Sequence, residues 1–168
     1  MLVYNPIYDT NHCILRLLCI LKDIYIKDIE INHLKLLDFY VLFPSLLKKI
    51  RFSSNLRSKR QIATNVPEPY EDISNPKRLF FNLGHIQDLS LRSLISIKFI
   101  NREDFIRDRI ALNTETLSSE ILNLIEEQGF RNEEWYQIII EDLSEMNLYG
   151  RDGLKSRSGL MEYRHDSL

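Results

Sequence analysis

Apolar residues recur at helical spacing near the start of the chain. Asp9 and Thr10 are both suited to cap a first helix. The apolar stripe of that helix consists of Ile14, Leu17, Leu18 and Leu21. Residues 24–31 are rich in β-branched side chains and predict a short strand. Asn32 can cap a second helix, which Pro44 then breaks before one or two further turns.

Residues 51–73 interrupt this pattern. They are first polar and basic and then contain two prolines, which predicts a loop. Residues 74–76 (Ser-Asn-Pro) form a helix start, because proline is favoured at the first helical position. Gly84 is expected to close or kink that helix, and a further helix is predicted at 85–94.

The second half of the chain combines extended and helical patterns. Two extended runs, 95–100 and 105–112, flank a polar connection and predict a β-hairpin. Residues 116–128 predict a helix, and Asn132 can cap a last one. This order predicts an α+β fold that is mainly α. It would be a winged-helix-like core of helices with a small β-hairpin wing, followed by C-terminal helices.

Length and composition favour one domain. The chain has 168 residues, of which 44% are hydrophobic, and this is enough for one core. We predict a single domain at 1–149, with the loop at 51–73 inside it. Residues 150–168 have too few apolar side chains to fold alone and predict a flexible C-terminal tail.

The apolar runs and the cysteines predict a cytoplasmic protein. The longest charge-free apolar run, 39–47, is too short to span a bilayer, so no membrane association is expected. Cys13 and Cys19 lie six residues apart in an apolar run, which predicts buried thiols in a reducing compartment.

The sequence contains no motif of catalytic chemistry. GxxxxGK[ST], GxGxxG and GxSxG do not occur. The four histidines have no second histidine or cysteine at metal-binding spacing. We therefore predict that the chain is not an enzyme and that it binds no cofactor and no metal.

Charge is unevenly distributed although the formal net charge is only −2. A run without acidic residues is a candidate contact for DNA or a partner protein, because mobile cations bind phosphates and acidic surfaces. Its cations are Lys48, Lys49, Arg51, Arg57, Lys59 and Arg60. A solvated loop of ordinary basic composition fits this run equally well.

Region 115–145 is acidic, with Arg131 as its only cation. Its candidate partner-facing carboxylates are Glu126, Glu127, Glu133, Glu134 and Glu141. A helix face that simply meets water is the alternative interpretation, since charge runs on helices usually do so.

Five segments combine packing and turn patterns in a fixed order. They are 4–9 (YNPIYD), 36–47 (LLDFYVLFPSLL), 55–60 (NLRSKR), 76–80 (PKRLF) and 85–87 (HIQ). In combination they resemble the middle component of bacterial three-component ABC-ATPase systems, including Lamassu-type antiphage and anti-plasmid systems. With the apolar positions that follow them, the resemblance covers roughly residues 4–112, about two-thirds of the chain.

The resemblance implies a non-catalytic adaptor. Its partners would be an SMC- or Rad50-like ABC ATPase and a second subunit that carries an effector, often a nuclease, with DNA reached through the complex. A free-standing winged-helix DNA-binding regulator is the alternative. A regulator should carry a basic recognition helix ahead of its wing, but residues 84–94 contain only His85 and Arg92 as basic residues.

Overall fold

The computed structural model describes residues 6–69 and 73–161. The helices are α1 (Thr10–Asp23), α2 (Ile31–Leu42), α3 (Arg57–Asn65), α4 (Pro76–Ser96), α5 (Arg102–Ile106), α6 (Ser119–Glu126), α7 (Glu134–Gln137) and α8 (Leu154–Ser158). Strands β1 (Ile29–Glu30) and β2 (Arg109–Ile110) form an antiparallel pair. Short 3-10 helices lie at Pro6–Tyr8, Pro44–Lys49, Ser54–Leu56, Thr114–Thr116 and Gly129–Asn132. The predicted class, α+β and mainly α, is confirmed.

Helices α1, α2 and α4 form the centre of the molecule. The Asp9 carboxylate caps α1 by accepting hydrogen bonds from the amides of Asn11 and His12, at 2.7 and 3.2 Å. Asn75 caps α4 in the same way and Pro76 follows it, as predicted. The side chains that these helices bury against one another include Leu17, Ile20, Leu34, Leu37, Leu83, Leu91 and Leu94. Their burial supplies a large part of the apolar contact that holds the fold.

Gly84 does not close α4, and that part of the prediction is wrong. The helix continues without interruption from Pro76 to Ser96. A glycine inside a helix costs about 1 kcal/mol relative to alanine. Buried Leu83 and Leu91 lie on either side of Gly84 and anchor both halves of α4 to the core, which outweighs that cost.

Several boundaries near α2 and α7 differ from the sequence-based ones. The predicted strand at 24–31 is reduced to Ile29–Glu30. Helix α2 begins at Ile31, so Asn32 lies inside the helix and does not cap it. Helix α7 begins at Glu134 rather than directly after Asn132. Such shifts are typical where no side-chain cap fixes the first turn, and neither helix has one.

The predicted hairpin wing does not form in its expected shape. Residues 95–96 end α4, and the supposed connection becomes helix α5, which Asn101 caps through the amide of Glu103. Strand β2 pairs with the distant β1, and the two predicted runs meet only at a bridge between Ile100 and Leu112. A winged-helix arrangement is therefore not shown by the described residues.

Residues 51–73 are not a continuous loop. Helix α3 runs from Arg57 to Asn65 and packs against the 3-10 helix Pro44–Lys49. Ala63 is fully buried and Val66 almost so, while the remaining side chains of α3 are mostly polar. The high polarity of this segment hid a narrow apolar face, which is why the loop prediction is wrong at 57–65. Residues 70–72 lie outside the described residues.

The start of the predicted C-terminal tail is packed onto the fold. Leu154 at the start of α8 is fully buried, and Leu160 is nearly so. Arg157 donates a hydrogen bond to the carbonyl of Arg51 at 2.6 Å, and the Arg51 guanidinium in turn binds the carbonyl of Ser156. A flexible tail is therefore the wrong description of residues 150–161, while residues 162–168 lie outside the described part of the chain.

Amide exchange should reveal this packing directly. The Leu154 amide donates to the Asn147 carbonyl at 2.8 Å, and the Lys155 amide donates to the Leu148 carbonyl at 3.0 Å. We expect both amides to exchange much more slowly than those of an unstructured peptide, because exchange requires these hydrogen bonds to open. Hydrogen–deuterium exchange read by mass spectrometry measures this. Exchange at the unstructured rate would restore the flexible-tail interpretation.

The two cysteines are buried free thiols, as predicted. Burial raises the pKa of both Cys13 and Cys19 to about 12. On the order of one thiol in ten thousand is then ionised at pH 8, so we expect no reaction of the native protein with a thiol reagent at that pH. Both thiols should react after denaturation. Rapid stoichiometric labelling of the native protein would contradict their burial.

Candidate functional site

Three cations of the predicted basic run are used inside the fold. Lys48 forms an ion pair with Glu68. Arg51 binds the carbonyl of Ser156 in the C-terminal segment. Lys59 lies 3.3 Å from a carboxylate oxygen of Asp142 and 3.8 Å from one of Glu141. These three side chains therefore hold segments of the molecule together. They are poorly placed to bind a phosphate.

The other three cations face solvent. Lys49, Arg57 and Arg60 are exposed, and none of them forms an ion pair with a described residue. Arg57 and Arg60 share one side of α3, because residues three apart are neighbours on a helix. The structure thus reduces the six-residue candidate to a smaller surface, which we call the basic surface (Lys49, Arg57 and Arg60).

The acidic region divides in the same way. Glu126 accepts hydrogen bonds from Lys22 at 3.0 Å and Arg131 at 2.8 Å, and the bond from Arg131 is the main cause of its lowered pKa. Glu141 faces Lys59. The remaining carboxylates are exposed, and the described residues provide no ion-pair partner for them. They are Glu127, Glu133 and Glu134, which we call the acidic surface.

Arg131, the single cation of the acidic region, binds groups inside the fold. Its guanidinium binds both carboxylate oxygens of Asp23 at 2.7 Å, and the Tyr136 hydroxyl donates to the same carboxylate at 3.0 Å. It also donates to the Ile125 carbonyl at 3.1 Å. Arg131 therefore ties the α6–α7 region to the C-terminal end of α1. Hydrogen bonding to Asp23 raises the pKa of the Arg131 guanidinium above its ordinary value.

Helix α7 continues as a π-helix over Ile138–Leu143, which sequence patterns did not predict. The amide of Ser144 donates to the carbonyl of Ile139 at 3.1 Å, the five-residue spacing of such a turn. Ile138 and Ile139 are fully buried on it. The widened turn places Asp142 beside Lys59, which joins the basic and acidic parts of the chain. π-turns are frequent at functional sites.

A cleft of about 600 Å³ lies beside the two-stranded sheet. Three of its charged groups bind one another, since Arg109 pairs with Asp28 and lies 3.6 Å from Glu30. The His33 ring donates to the Leu143 carbonyl at 2.8 Å, and burial lowers the pKa of His33. Across the described residues, no three His, Cys, Asp or Glu side chains are grouped so that they could hold a metal.

A buried polar network joins α1, α2 and α4, and sequence reasoning missed it. The Asp38 carboxylate is fully buried and accepts from Arg16 at 2.7 and 3.3 Å and from the Gln87 amide at 2.8 Å. The Gln87 carbonyl oxygen has no partner among the described residues. Arg16 and Asp38, two opposite charges within the apolar stretches of α1 and α2, were the available signal for this network.

The solvent side of α4 carries two large apolar residues that the sequence pattern did not single out as exposed. The side chain of Phe81 is 68% exposed, and that of Leu89 is 40% exposed. Arg78, His85 and Arg92 are exposed on the same side of the helix. Single apolar residues scattered over a surface are ordinary. Phe81 and Leu89, however, lie four residues before and after His85, so they share one face of the helix with it.

None of the described helices is long and apolar enough to cross a membrane. Comparison with curated proteins and with solved structures found no match. A family model described as ABC-three component (ABC-3C) system Middle Component 5 matches residues 2–166. That match extends over nearly the whole chain, including the α6–α8 region that the sequence resemblance left out. The chain belongs to the family of Middle Component 5 of ABC-three component systems.

Proposed function

We propose that this chain is a non-catalytic adaptor that bridges an SMC-like ABC ATPase and an effector subunit of the nuclease type, in a Lamassu-type antiphage or anti-plasmid complex. Its membership of a middle-component family supports an adaptor role. The observation that carries the proposal is that two sets of unpaired charges of opposite sign remain on different elements. An adaptor needs two such surfaces, one for each partner.

Several groups that could support chemistry are engaged in packing. The cysteine thiols are buried with raised pKa values, and Asp38 neutralises Arg16 in the core. His33 is committed to a main-chain carbonyl. These contacts support the proposal that catalysis resides in the partner subunits. Because the ATPase partner would consume ATP, we place the complex in the cytoplasm.

The basic and acidic surfaces differ in which partner they would attract. The basic surface suits a partner with exposed carboxylates, or DNA held within the complex, because exposed cations speed association with acidic partners and with phosphates. The acidic surface suits a basic partner. The proposal assigns the two surfaces to different subunits.

Reversing the charge of the basic surface should weaken one association. For the triple variant Lys49→Glu, Arg57→Glu and Arg60→Glu, we expect affinity for one partner or for DNA to fall on the order of tenfold at low salt. The difference should shrink as salt screens the charges. A matched control is Lys27→Glu, Arg102→Glu and Arg107→Glu, which changes net charge equally on exposed residues elsewhere. Equal binding by both triple variants and the wild type would leave the basic surface as a solvated face.

Pairwise binding of the purified chain to each of the other two components tests the adaptor proposal. We expect stable complexes with the ATPase and with the effector, measured by size-exclusion chromatography with light scattering. Tight sequence-specific DNA binding by this chain alone, with no complex in either pair, would favour the DNA-binding regulator instead.

A further inference from the structure

The exposed face of α4 has a regular arrangement of charge and apolar surface. Phe81 and Leu89 lie four residues before and after His85, while Arg78 and Arg92 lie seven residues before and after it. At 100° per residue these five side chains fall within about 80° of arc. The Cα atoms of the two arginines are about 21 Å apart along the axis, from the rise of 1.5 Å per residue. We call this set the α4 stripe.

The side chains of the α4 stripe are exposed. Phe81 is the more exposed of its two apolar residues, at 68%. Neither Arg78 nor Arg92 forms an ion pair with any described residue. The nearest carboxylate on the helix, Asp88, forms an ion pair with Lys35 at 2.6 Å. The opposite face of α4 is buried through Leu83, Gln87, Leu91 and Leu94.

Pairing with a second copy of the chain is disfavoured by charge. The stripe is symmetric about His85, so an antiparallel pair of α4 helices would place Arg78 of one copy against Arg92 of the other. A parallel pair would place each arginine against its own equivalent. Like charges that meet across helices destabilise the contact. The molecule that binds the α4 stripe is therefore not a second copy of this chain.

Nucleic acid fits the stripe less well than a protein. Phosphates would bind Arg78 and Arg92 but would leave Phe81 and Leu89 against a charged backbone, without an apolar partner. A protein surface that offers apolar side chains at the centre and carboxylates at the ends satisfies all four groups. Helix-in-groove recognition uses anchor residues spaced along one face of a helix, as Phe81 and Leu89 are on α4.

We infer that the α4 stripe docks an amphipathic helix of a partner subunit, with apolar residues facing Phe81 and Leu89 and carboxylates facing Arg78 and Arg92. The assignment rests on the proposed adaptor function for its place in the complex. It adds to that function the chemistry of one contact, an acidic helix, on a surface separate from the basic and acidic surfaces.

Two synthetic helical peptides test the charge requirement. Both carry the same leucine face; one is flanked by glutamates and the other by lysines. We expect the full chain to bind the glutamate peptide on the order of tenfold more tightly at low salt, measured by fluorescence anisotropy. The variant Arg78→Glu with Arg92→Glu should reverse this preference. Phe81→Ala with Leu89→Ala should weaken binding of both peptides, whereas Tyr25→Ala with Ile106→Ala, also exposed, should not.

The outcomes separate this assignment from the adaptor proposal. If the wild type binds both peptides equally or prefers a 20-base-pair DNA duplex, the assignment is overturned even when the chain still assembles with its partners. If the peptide preference reverses as expected but the chain assembles with neither partner, the assignment stands and the adaptor proposal fails. Thermal melting of each variant confirms that the fold is intact.

Discussion

Asp38→Ala is expected to lower the free energy of unfolding by about 3–5 kcal/mol. Asp38 is fully buried, and its carboxylate is the partner of Arg16 at 2.7 Å. Removing the carboxylate leaves a buried guanidinium without a counter-charge and also takes a hydrogen-bond acceptor from Gln87. Since small domains are stable by about 5–15 kcal/mol, the variant should be close to unfolding at 37 °C. Chemical denaturation followed by circular dichroism measures the change.

Two further variants show whether the loss comes from the buried charge. Asp152→Ala removes the exposed carboxylate that faces Arg157 and should cost less than about 1 kcal/mol. Arg16→Met combined with Asp38→Leu should be more stable than Asp38→Ala alone, because no unpaired charge remains in the core. A loss below about 1 kcal/mol for Asp38→Ala would mean that Arg16 reaches water and that the network is not as buried as described.

Arg131→Ala is expected to lower the free energy of unfolding by about 2–3 kcal/mol. The substitution removes both hydrogen bonds to Asp23 and leaves that carboxylate with the Tyr136 hydroxyl. It also removes one of the contacts that join the α6–α7 region to α1, so amide protection should fall there first. Denaturation combined with hydrogen exchange measures both effects.

Lys22→Ala is the matched control for Arg131→Ala. It removes an ion pair to Glu126 at the same end of α1, but that carboxylate is largely exposed. The expected cost is below about 1 kcal/mol. Equal losses for the two variants would show that burial of the Asp23 pair does not matter, which contradicts the structural explanation.

The parts of the fold that the sequence predicted well are those fixed by local chemistry. Asp9 and Asn75 cap α1 and α4 because an aspartate or asparagine oxygen satisfies the free amides of the first turn. Pro44 ends α2 because proline cannot continue a helix, and the chain then forms the 3-10 turn Pro44–Lys49. None of these features depends on distant residues.

The parts that failed depend on contacts between distant segments. Helix α3 packs on the 3-10 helix Pro44–Lys49 and on the distant α7, and Leu154 is buried far from the core helices in sequence, which no local pattern shows. The second extended run became a strand paired with β1, about eighty residues earlier, rather than half of a hairpin. The π-helix has no sequence signature among its isoleucines.

The candidate sites remain predictions, because the sequence gives the charges of their residues but not their exposure. A run of cations identifies a segment, yet whether Lys59 meets water or Asp142 is decided by where α3 packs. The structure divides the predicted basic and acidic sets into internal ties and free surfaces. It also reveals Phe81 as an exposed apolar residue, which the sequence could not separate from a packing position.

The bridging claim is tested most directly by co-expressing the ATPase and the effector with and without this chain. We expect the two proteins to co-elute in size-exclusion chromatography only when the chain is present, in a single complex whose mass by light scattering includes all three. An ATPase–effector complex of unchanged stability in the absence of this chain would contradict the adaptor account.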